Sequence, residues 1–264
     1  LMNHRFLTAR EVINFGIGML AALQNIHSRK LVHLDVKPAN ILIADTGEAV
    51  LADFGCARPV DENMLADPAA LYPLHVPPER FKAAKLGPEA DIYQAGLTLY
   101  RMFNGDALFF EPIGGRKGPE EIQDQKIRNK VNDKIRKGAF PARDAYLPHV
   151  PKRLRAAILK ALDPDPNARF KAAAELIESL GDVDQALDWE FEQGPERCVW
   201  RREGDTAALR IELAGPDAKG RQHVETTRTG RESGVTQRSI KHCKICASVA
   251  EAHRFVATVA AELG

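Results

Sequence analysis

The stretch His33-Leu34-Asp35-Val36-Lys37-Pro38-Ala39-Asn40, followed closely by Asp53-Phe54-Gly55, decides how this chain is interpreted. Residues 41–52 between them form two apolar runs separated by a Thr-Gly pair, which is the pattern of a β-hairpin. A hairpin returns the chain to its starting point, so Asn40 and Asp53 should face one spot. Carboxylate and amide oxygens suit Mg²⁺ when phosphate completes its ligand shell. The stretch therefore predicts a magnesium and phosphate site.

Two further side chains of the stretch suit phosphate chemistry. Asp35 can act as a base for a hydroxyl group, and Lys37 can stabilise charge that develops on a phosphoryl group. Their spacing places both groups next to the predicted metal ligands.

The stretch resembles the catalytic loop, H-R-D-x-K-x-x-N, and the metal-binding D-F-G of eukaryotic-type (Hanks-type) protein kinases. The resemblance implies that Asp35 and Lys37 are catalytic, and that Asn40 and Asp53 hold Mg²⁺. It also implies that Leu42 forms the floor under the adenine of ATP.

The same resemblance assigns His33, Phe54 and Gly55 to structural support of the site. The loop departs from the family pattern at Leu34, which stands where the family usually has Arg. The catalytic loop is therefore of the non-RD type.

Later landmarks of the kinase C-terminal lobe follow in order. Pro77-Pro78-Glu79 resembles A-P-E, and Asp91 opens an apolar helix over 91–103. By resemblance Asp91 accepts backbone N–H bonds from the catalytic loop, and a plain helix N-cap is the alternative. The segment Asp163 to Phe170 resembles D-P-x-x-R, which implies that Arg169 pairs with Glu79.

The segment from Cys56 to Val76 would be the activation segment, and it contains neither Ser nor Thr. Its one hydroxyl belongs to Tyr72. Because the Arg that would bind a loop phosphate is also missing, we expect no activation-loop phosphoswitch. The threonine that contacts the catalytic Lys and Asp in Ser/Thr kinases is missing as well.

The motifs of a kinase N-terminal lobe do not occur in the sequence, which has no G-x-G-x-x-G and no V-A-I-K. Gly114 to Gly118 is glycine-rich, but its position favours a surface turn. Since Leu1 precedes Met2, we expect a fragment or a processed product that lacks the N-lobe. Such a fragment should be inactive alone and need the N-lobe segment in cis or in trans.

A basic stretch at 116–137 includes a predicted amphipathic helix over 120–137. The prediction we favour is a solvated surface helix. The alternative is a docking patch for an acidic partner.

The fold class predicted is α+β: a mostly helical kinase C-lobe with the catalytic-loop hairpin, then a small β-meander plus helix domain. The boundaries expected are 1–181 for the C-lobe, 182–195 for a linker or short helix, and 196–264 for the second domain. Strands are predicted at 198–202, 207–213, 223–228 and 239–246, and a helix at 249–263.

Composition limits the alternatives. The net charge is +1, which gives no overall signal for a nucleic-acid partner, and no apolar run is long enough to span a bilayer. Four scattered cysteines indicate a reducing, cytoplasmic location. Cys243 and Cys246 make half of a Zn²⁺ site at most, so buried apolar cysteines are favoured over zinc there.

Two functions remain open at this point. The first is an ATP- and Mg²⁺-dependent kinase, most consistent with the Ser/Thr class, which acts on a protein substrate. The second is a pseudokinase or scaffold that binds a partner without catalysis.

Overall fold

The computed structural model describes residues 5–68, 71–114 and 124–264. The chain divides into two compact units. One, which we call the helical unit, holds residues 11–146 and 152–183. The other, the sheet unit, gathers residues 5–10, 147–151 and 184–264.

In its described part, the chain up to residue 183 contains four short strands and five α-helices. In order they are α1 (Ala9–Ser28), β1 (Leu31–Val32), β2 (Ile41–Ile43), β3 (Ala49–Leu51), β4 (Arg58–Pro59), α2 (Pro88–Phe110), α3 (Gln125–Arg136), α4 (Lys152–Ala161) and α5 (Ala173–Gly181).

The helix α2 is the buried centre of the helical unit. Its residues from Ala90 to Tyr100 are all buried, which fits their nearly continuous apolar sequence. A Cβ added at Gly96 would lie 2.9 Å from the Cβ of Ala161, so only glycine permits this approach of α2 to α4. The helix is longer than the predicted 91–103 and continues across a kink at Gly105.

The predicted hairpin is present. Strands β2 and β3 pair antiparallel with Ile41 opposite Leu51. The turn contains Gly47 at a φ of 86°, a conformation that glycine adopts without strain. The Ala52 N–H donates to the Asn40 carbonyl at 2.8 Å, which brings the two ends of the hairpin together.

The basic helix α3 covers only part of its predicted span of 120–137. Residues 120–123 lie outside the described part of the chain, and so do four of the five residues of the turn predicted at Gly114 to Gly118. Val131 and Ile135 of this helix are buried, which agrees with the predicted amphipathic character. No helix among the described residues has the length and apolar character to cross a bilayer.

The sheet unit contains one six-stranded sheet and one long helix. The prediction for 196–264 is a β-meander plus helix, and the sheet also includes Glu190–Gln193 from the predicted linker at 182–195. Its strands run in the order β10-β8-β7-β6-β5, and β9 also pairs with β8. The bounds are β5 (Glu190–Gln193), β6 (Arg197–Glu203), β7 (Ala207–Ala214), β8 (Gln222–Gly230), β9 (Thr236–Arg238), β10 (Lys244–Cys246) and α6 (Val249–Leu263).

Three details of the sheet differ from the sequence prediction. Glu190–Gln193 is a strand, because Phe191 packs on the Trp200 ring with centroids 5.0 Å apart. Thr236–Arg238 adds a further short strand. The strand predicted at 239–246 is a 3-10 turn at Ile240–His242 followed by a three-residue strand.

Candidate active site

Asp91 anchors the catalytic loop to α2. Its carboxylate accepts the backbone N–H of His33 at 2.8 Å and that of Leu34 at 2.7 Å. His27 Nε2 lies 2.7 Å from the same carboxylate. The helix begins at Pro88 with Gly87 as its N-cap, so Asp91 is not a capping residue. Its side chain is fully buried and holds the loop in place, as the kinase resemblance implies.

Gln94 is a second anchor, one helical turn after Asp91. Its Oε1 accepts the Val36 N–H at 2.9 Å, and its Nε2 donates to the carbonyls of Leu34 at 3.0 Å and His75 at 3.1 Å. One buried amide thus joins the catalytic loop to the segment before Glu79.

Two residues of the site have a left-handed backbone. Leu34 and Asp53 both have a φ of 63°, which is uncommon for residues other than glycine. Such conformations persist where the surroundings fix them and are frequent at functional sites. Here the hydrogen bond that the Leu34 N–H donates to Asp91 fixes the Leu34 backbone.

The carboxylate of Asp35 is where the polar groups of the loop meet. Lys37 Nζ lies 2.7 Å from its Oδ2, and Asn40 Nδ2 donates to the same atom at 2.9 Å. Asn40 Nδ2 also donates to the Asp35 carbonyl at 2.8 Å. The asparagine amide nitrogen is therefore engaged by Asp35, and its amide oxygen is the atom suited to a cation.

Asp53 ends the hairpin next to this group. Its Oδ1 accepts the Gly55 N–H at 3.2 Å, and the residue is exposed. The Phe54 ring packs edge-on against His33, with centroids 5.0 Å apart. Burial lowers the pKa of His33, while the charge of Asp91 opposes that shift. A neutral His33 agrees with its Nδ1 accepting the Asp35 N–H at 3.3 Å.

These oxygen donors fit magnesium bound together with a nucleotide. No group of three or more His, Cys, Asp or Glu that could hold a metal occurs among the described residues. Mg²⁺ at phosphate sites typically takes only one or two protein carboxylates, and phosphate and water supply the rest. Asp53 can supply one such carboxylate, and the amide oxygen of Asn40 is a further oxygen donor.

The side chain of Leu34 points away from the polar group into an apolar cluster. It is fully buried with Val32, Ala66, Leu86 and Ala90, and Leu71 packs against them. Ala66 belongs to the activation segment and pairs with Leu86 through backbone hydrogen bonds of 2.9 Å. Apolar packing therefore holds this part of the segment.

Glu79 and Arg169 form the pair that the resemblance implies. Arg169 Nη1 and Nη2 donate to the two carboxylate oxygens at 2.8 and 2.6 Å. Its other donors reach the carbonyls of Glu89 at 2.8 Å and Asp163 at 2.7 Å. The guanidinium is fully buried, so its charge depends on these partners.

Leu42 lies on the exposed face of the hairpin, 56% exposed. Val50 and Phe54 are also exposed there, at 49% and 48%. The predicted adenine floor is thus an open apolar surface next to Asp53.

Two cysteines considered for zinc, Cys243 and Cys246, belong to the sheet unit. Cys243 Sγ is 3.2 Å from the Ser239 carbonyl, and Cys246 is fully buried. Burial raises the pKa of Cys246, which keeps its thiol protonated.

Sequence reasoning missed His27, Gln94 and His75 as supports of the loop. Gln94 could have been found from its spacing, since it lies on the same helix face as Asp91. His75 is buried and its Nδ1 lies 2.8 Å from the Val36 carbonyl. Nothing in its local sequence signals that contact.

A model of the protein kinase domain matches residues 1–179 of the sequence. The chain belongs to the Hanks-type protein kinase family. The match covers the whole candidate site and ends near the last residue of α5. Most of the sheet unit lies beyond it.

Among curated relatives, this kinase chain is 32% identical over 186 residues to the serine/threonine-protein kinase PknK of Mycobacterium bovis, which covers 70% of this chain and 16% of that protein. It is 29% identical over 170 residues to a probable serine/threonine-protein kinase of Clostridium perfringens, covering 64% of this chain and 23% of that one. A probable serine/threonine-protein kinase of Streptomyces coelicolor is 27% identical over 192 residues, 71% of this chain and 26% of its own length. The chain thus spans about a quarter or less of these relatives.

Proposed function

We propose that this kinase chain transfers the terminal phosphoryl group of ATP to Ser or Thr hydroxyls of a protein substrate, with Mg²⁺. The observation that carries the proposal is the convergence on Asp35 Oδ2 of Lys37 at 2.7 Å and Asn40 at 2.9 Å. The kinase relatives named for serine and threonine support the acceptor class.

Asp35 is the base in this proposal. Lys37 and Asn40 hold one carboxylate oxygen, which fixes the orientation of the whole group. The carboxylate accepts the proton of the substrate hydroxyl as the hydroxyl oxygen bonds to the terminal phosphorus of ATP, and the bond from that phosphorus to the bridging oxygen breaks so that ADP leaves. The Lys37 ammonium, 2.7 Å from the carboxylate, is close enough to stabilise negative charge on the transferred group.

Asp53 and Asn40 would hold Mg²⁺, and Leu42 would contact adenine. Bound Mg²⁺ supplies neutralisation of phosphate charge. The exposed carboxylate of Asp53 and the amide oxygen of Asn40 are hard oxygen donors, and that chemistry supports the assignment.

We further propose that catalysis needs a kinase N-lobe polypeptide, joined in cis or bound in trans. The sequence contains no glycine-rich phosphate loop and no strand lysine. The exposed apolar side chains of Leu42, Val50 and Phe54 support a covering partner at the hairpin. The chain alone should transfer phosphate poorly.

The test compares phosphotransfer by the chain alone and by the chain with an N-lobe polypeptide, each in the wild type and in Asp53→Asn. Transfer that needs the N-lobe and Mg²⁺, and that falls about 10²-fold or more in Asp53→Asn, is expected. The matched control is Asp45→Asn, an exposed carboxylate in the hairpin turn, which should keep wild-type activity. Equal transfer by Asp53→Asn and the wild type would contradict the assignment.

A scaffold without catalysis is the alternative, and the exposed cations of α3 favour it. Lys126, Lys130 and Arg136 are exposed on that helix, which suits an acidic partner. No transfer in any sample of the test would support this second function. For either function we propose a cytoplasmic location, which the cysteine usage of the sequence supports.

A further inference from the structure

Tyr72, the one hydroxyl-bearing residue between Cys56 and Val76, lies against the catalytic-loop lysine. The Lys37 ammonium is 5.2 Å from the centre of the Tyr72 ring. We propose that Tyr72 is a positioning residue: its ring holds the Lys37 ammonium against the Asp35 carboxylate. The proposal rests on the proposed phosphotransfer function.

The Tyr72 ring also packs against His75. Its centroid is 5.5 Å from that of His75, whose N–H donates to the Tyr72 carbonyl at 2.9 Å. His75 is fully buried, and its Nδ1 lies 2.8 Å from the carbonyl of Val36 in the catalytic loop. Tyr72 is therefore fixed to the loop that carries Lys37.

Arg101 carries a positive charge near the Tyr72 ring. Burial raises the pKa of Tyr72, and the charges of Arg101 and Lys37 oppose that rise. The Arg101 guanidinium lies 5.2 Å from the ring centres of Phe109 and Phe110, and its Nε donates to Asp106 at 2.6 Å.

The lysine side chain is flexible, and contact with an aromatic ring can hold its ammonium group in place. The electron-rich face of an aromatic ring attracts a cation, and the attraction grows as water is excluded. The Lys37 side chain is 23% exposed, so it is partly shielded from water. Ring and carboxylate together restrict the ammonium to one place, which favours a catalytic group that must meet the phosphoryl oxygens.

The family pattern leads one to expect a threonine hydroxyl in contact with this lysine. In this chain the group in contact is an aromatic face. The two arrangements make different predictions, because a hydroxyl acts through a hydrogen bond and a ring acts through its π-system. Removal of the Tyr72 hydroxyl should therefore matter little, and removal of the ring should matter more.

Three variants of the full chain separate these cases: Tyr72→Phe, Tyr72→Leu and, should the leucine variant fail to fold, Tyr72→Met. The first readout is the NMR shift of the Lys37 ε-methylene group, which the Tyr72 ring current displaces. The second is phosphotransfer with the N-lobe polypeptide, measured as kcat and KM for ATP. The matched control is Phe81→Leu, which removes a different ring that lies 4.4 Å from the Arg136 guanidinium.

We expect Tyr72→Leu to remove the ring-current displacement and to lower kcat about three- to tenfold, with KM for ATP changed less than about twofold. Tyr72→Phe should keep both properties within about twofold of the wild type. Phe81→Leu should leave both unchanged. The inference is wrong if Tyr72→Leu leaves the Lys37 resonance or kcat at its wild-type value, or if Tyr72→Phe loses as much as Tyr72→Leu.

Failure of the proposed function gives a different result. If no sample, the wild type included, transfers phosphate, the proposed function is wrong. Even then, the ring contact would be established if the chemical shift of the Lys37 ε-methylene group differs from the wild type in Tyr72→Leu and not in Tyr72→Phe.

Discussion

Leu34, the residue before Asp35, connects the polar loop to an apolar cluster. Its backbone N–H binds Asp91, and its fully buried side chain joins the cluster that contains Ala66 and Leu86. Apolar packing there stabilises the activation segment without any charge. That the segment works without a phosphoswitch stays a prediction, and this packing agrees with it.

At the same scale, the sequence predicts some contacts of the site and not others. Asp35, Lys37 and Asn40 lie within six residues, so their spacing alone predicts that they meet. Gln94 reaches the loop from a helix distant in sequence, and only its place on the same helix face as Asp91 signals that contact. Tyr72 meets Lys37 only because the activation segment folds back, which residue types alone do not predict.

His75 should make stability depend on pH. Burial lowers its pKa to about 3, and the charges of Arg101 and Lys37 act in the same direction. Because the unfolded chain takes up this proton near its ordinary pKa of about 6.5, stability falls as pH drops from there towards 3. His75→Asn keeps an N–H donor for the Val36 carbonyl and removes this titration.

Chemical denaturation between about pH 7 and pH 5 measures the difference. The wild type should lose about 2 kcal/mol more unfolding free energy over this range than His75→Asn. The carboxylates and the other histidines titrate alike in both proteins, so they cancel in the comparison. Identical pH dependence in the two proteins would show that His75 is not held neutral in the folded state.

At the scale of elements, periodicity predicted the C-terminal helix well and the bounds of α2 poorly. The helix at 249–263 has the bounds predicted for it, because its apolar residues recur at helical spacing from Val249 onward. The strand predicted at 239–246 is wrong in its first half, because the alternation of apolar and polar residues continues through a 3-10 turn at Ile240–His242. The strand at Glu190–Gln193 is too short for its pattern to be distinctive, and the packing of Phe191 on Trp200 stabilises it.

The pair of Arg169 and Glu79 joins the end of the activation segment to the segment before α5. Since the Arg169 side chain is fully buried, Glu79→Ala would leave its charge without a counterion. We expect a loss of about 3–5 kcal/mol in unfolding free energy by denaturant titration. Glu62→Ala is the control, because Glu62 is exposed and its removal should cost less than about 0.5 kcal/mol. A Glu79→Ala variant as stable as Glu62→Ala would mean that this ion pair does not stabilise the fold.

At the scale of the molecule, the order of motifs predicted a kinase-like helical region before a small sheet. The sheet unit also includes residues 5–10 and 147–151, which are remote in sequence. His149 accepts the Trp200 indole N–H at 2.8 Å within that unit. Such assembly from separate segments depends on tertiary packing, and hydrophobic periodicity carries no information about it.

We propose that Asp35 serves as the base for phosphoryl transfer in this kinase chain. Its most direct test is the single-turnover rate at saturating Mg-ATP, with the N-lobe polypeptide present, for Asp35→Asn against the wild type. Asparagine has nearly the size of aspartate, and its amide oxygen can accept hydrogen bonds from Lys37 and Asn40. It cannot accept the proton of the substrate hydroxyl. We expect a fall of about 10²-fold or more, within the range that general-base catalysis contributes. A rate within about twofold of the wild type would contradict it.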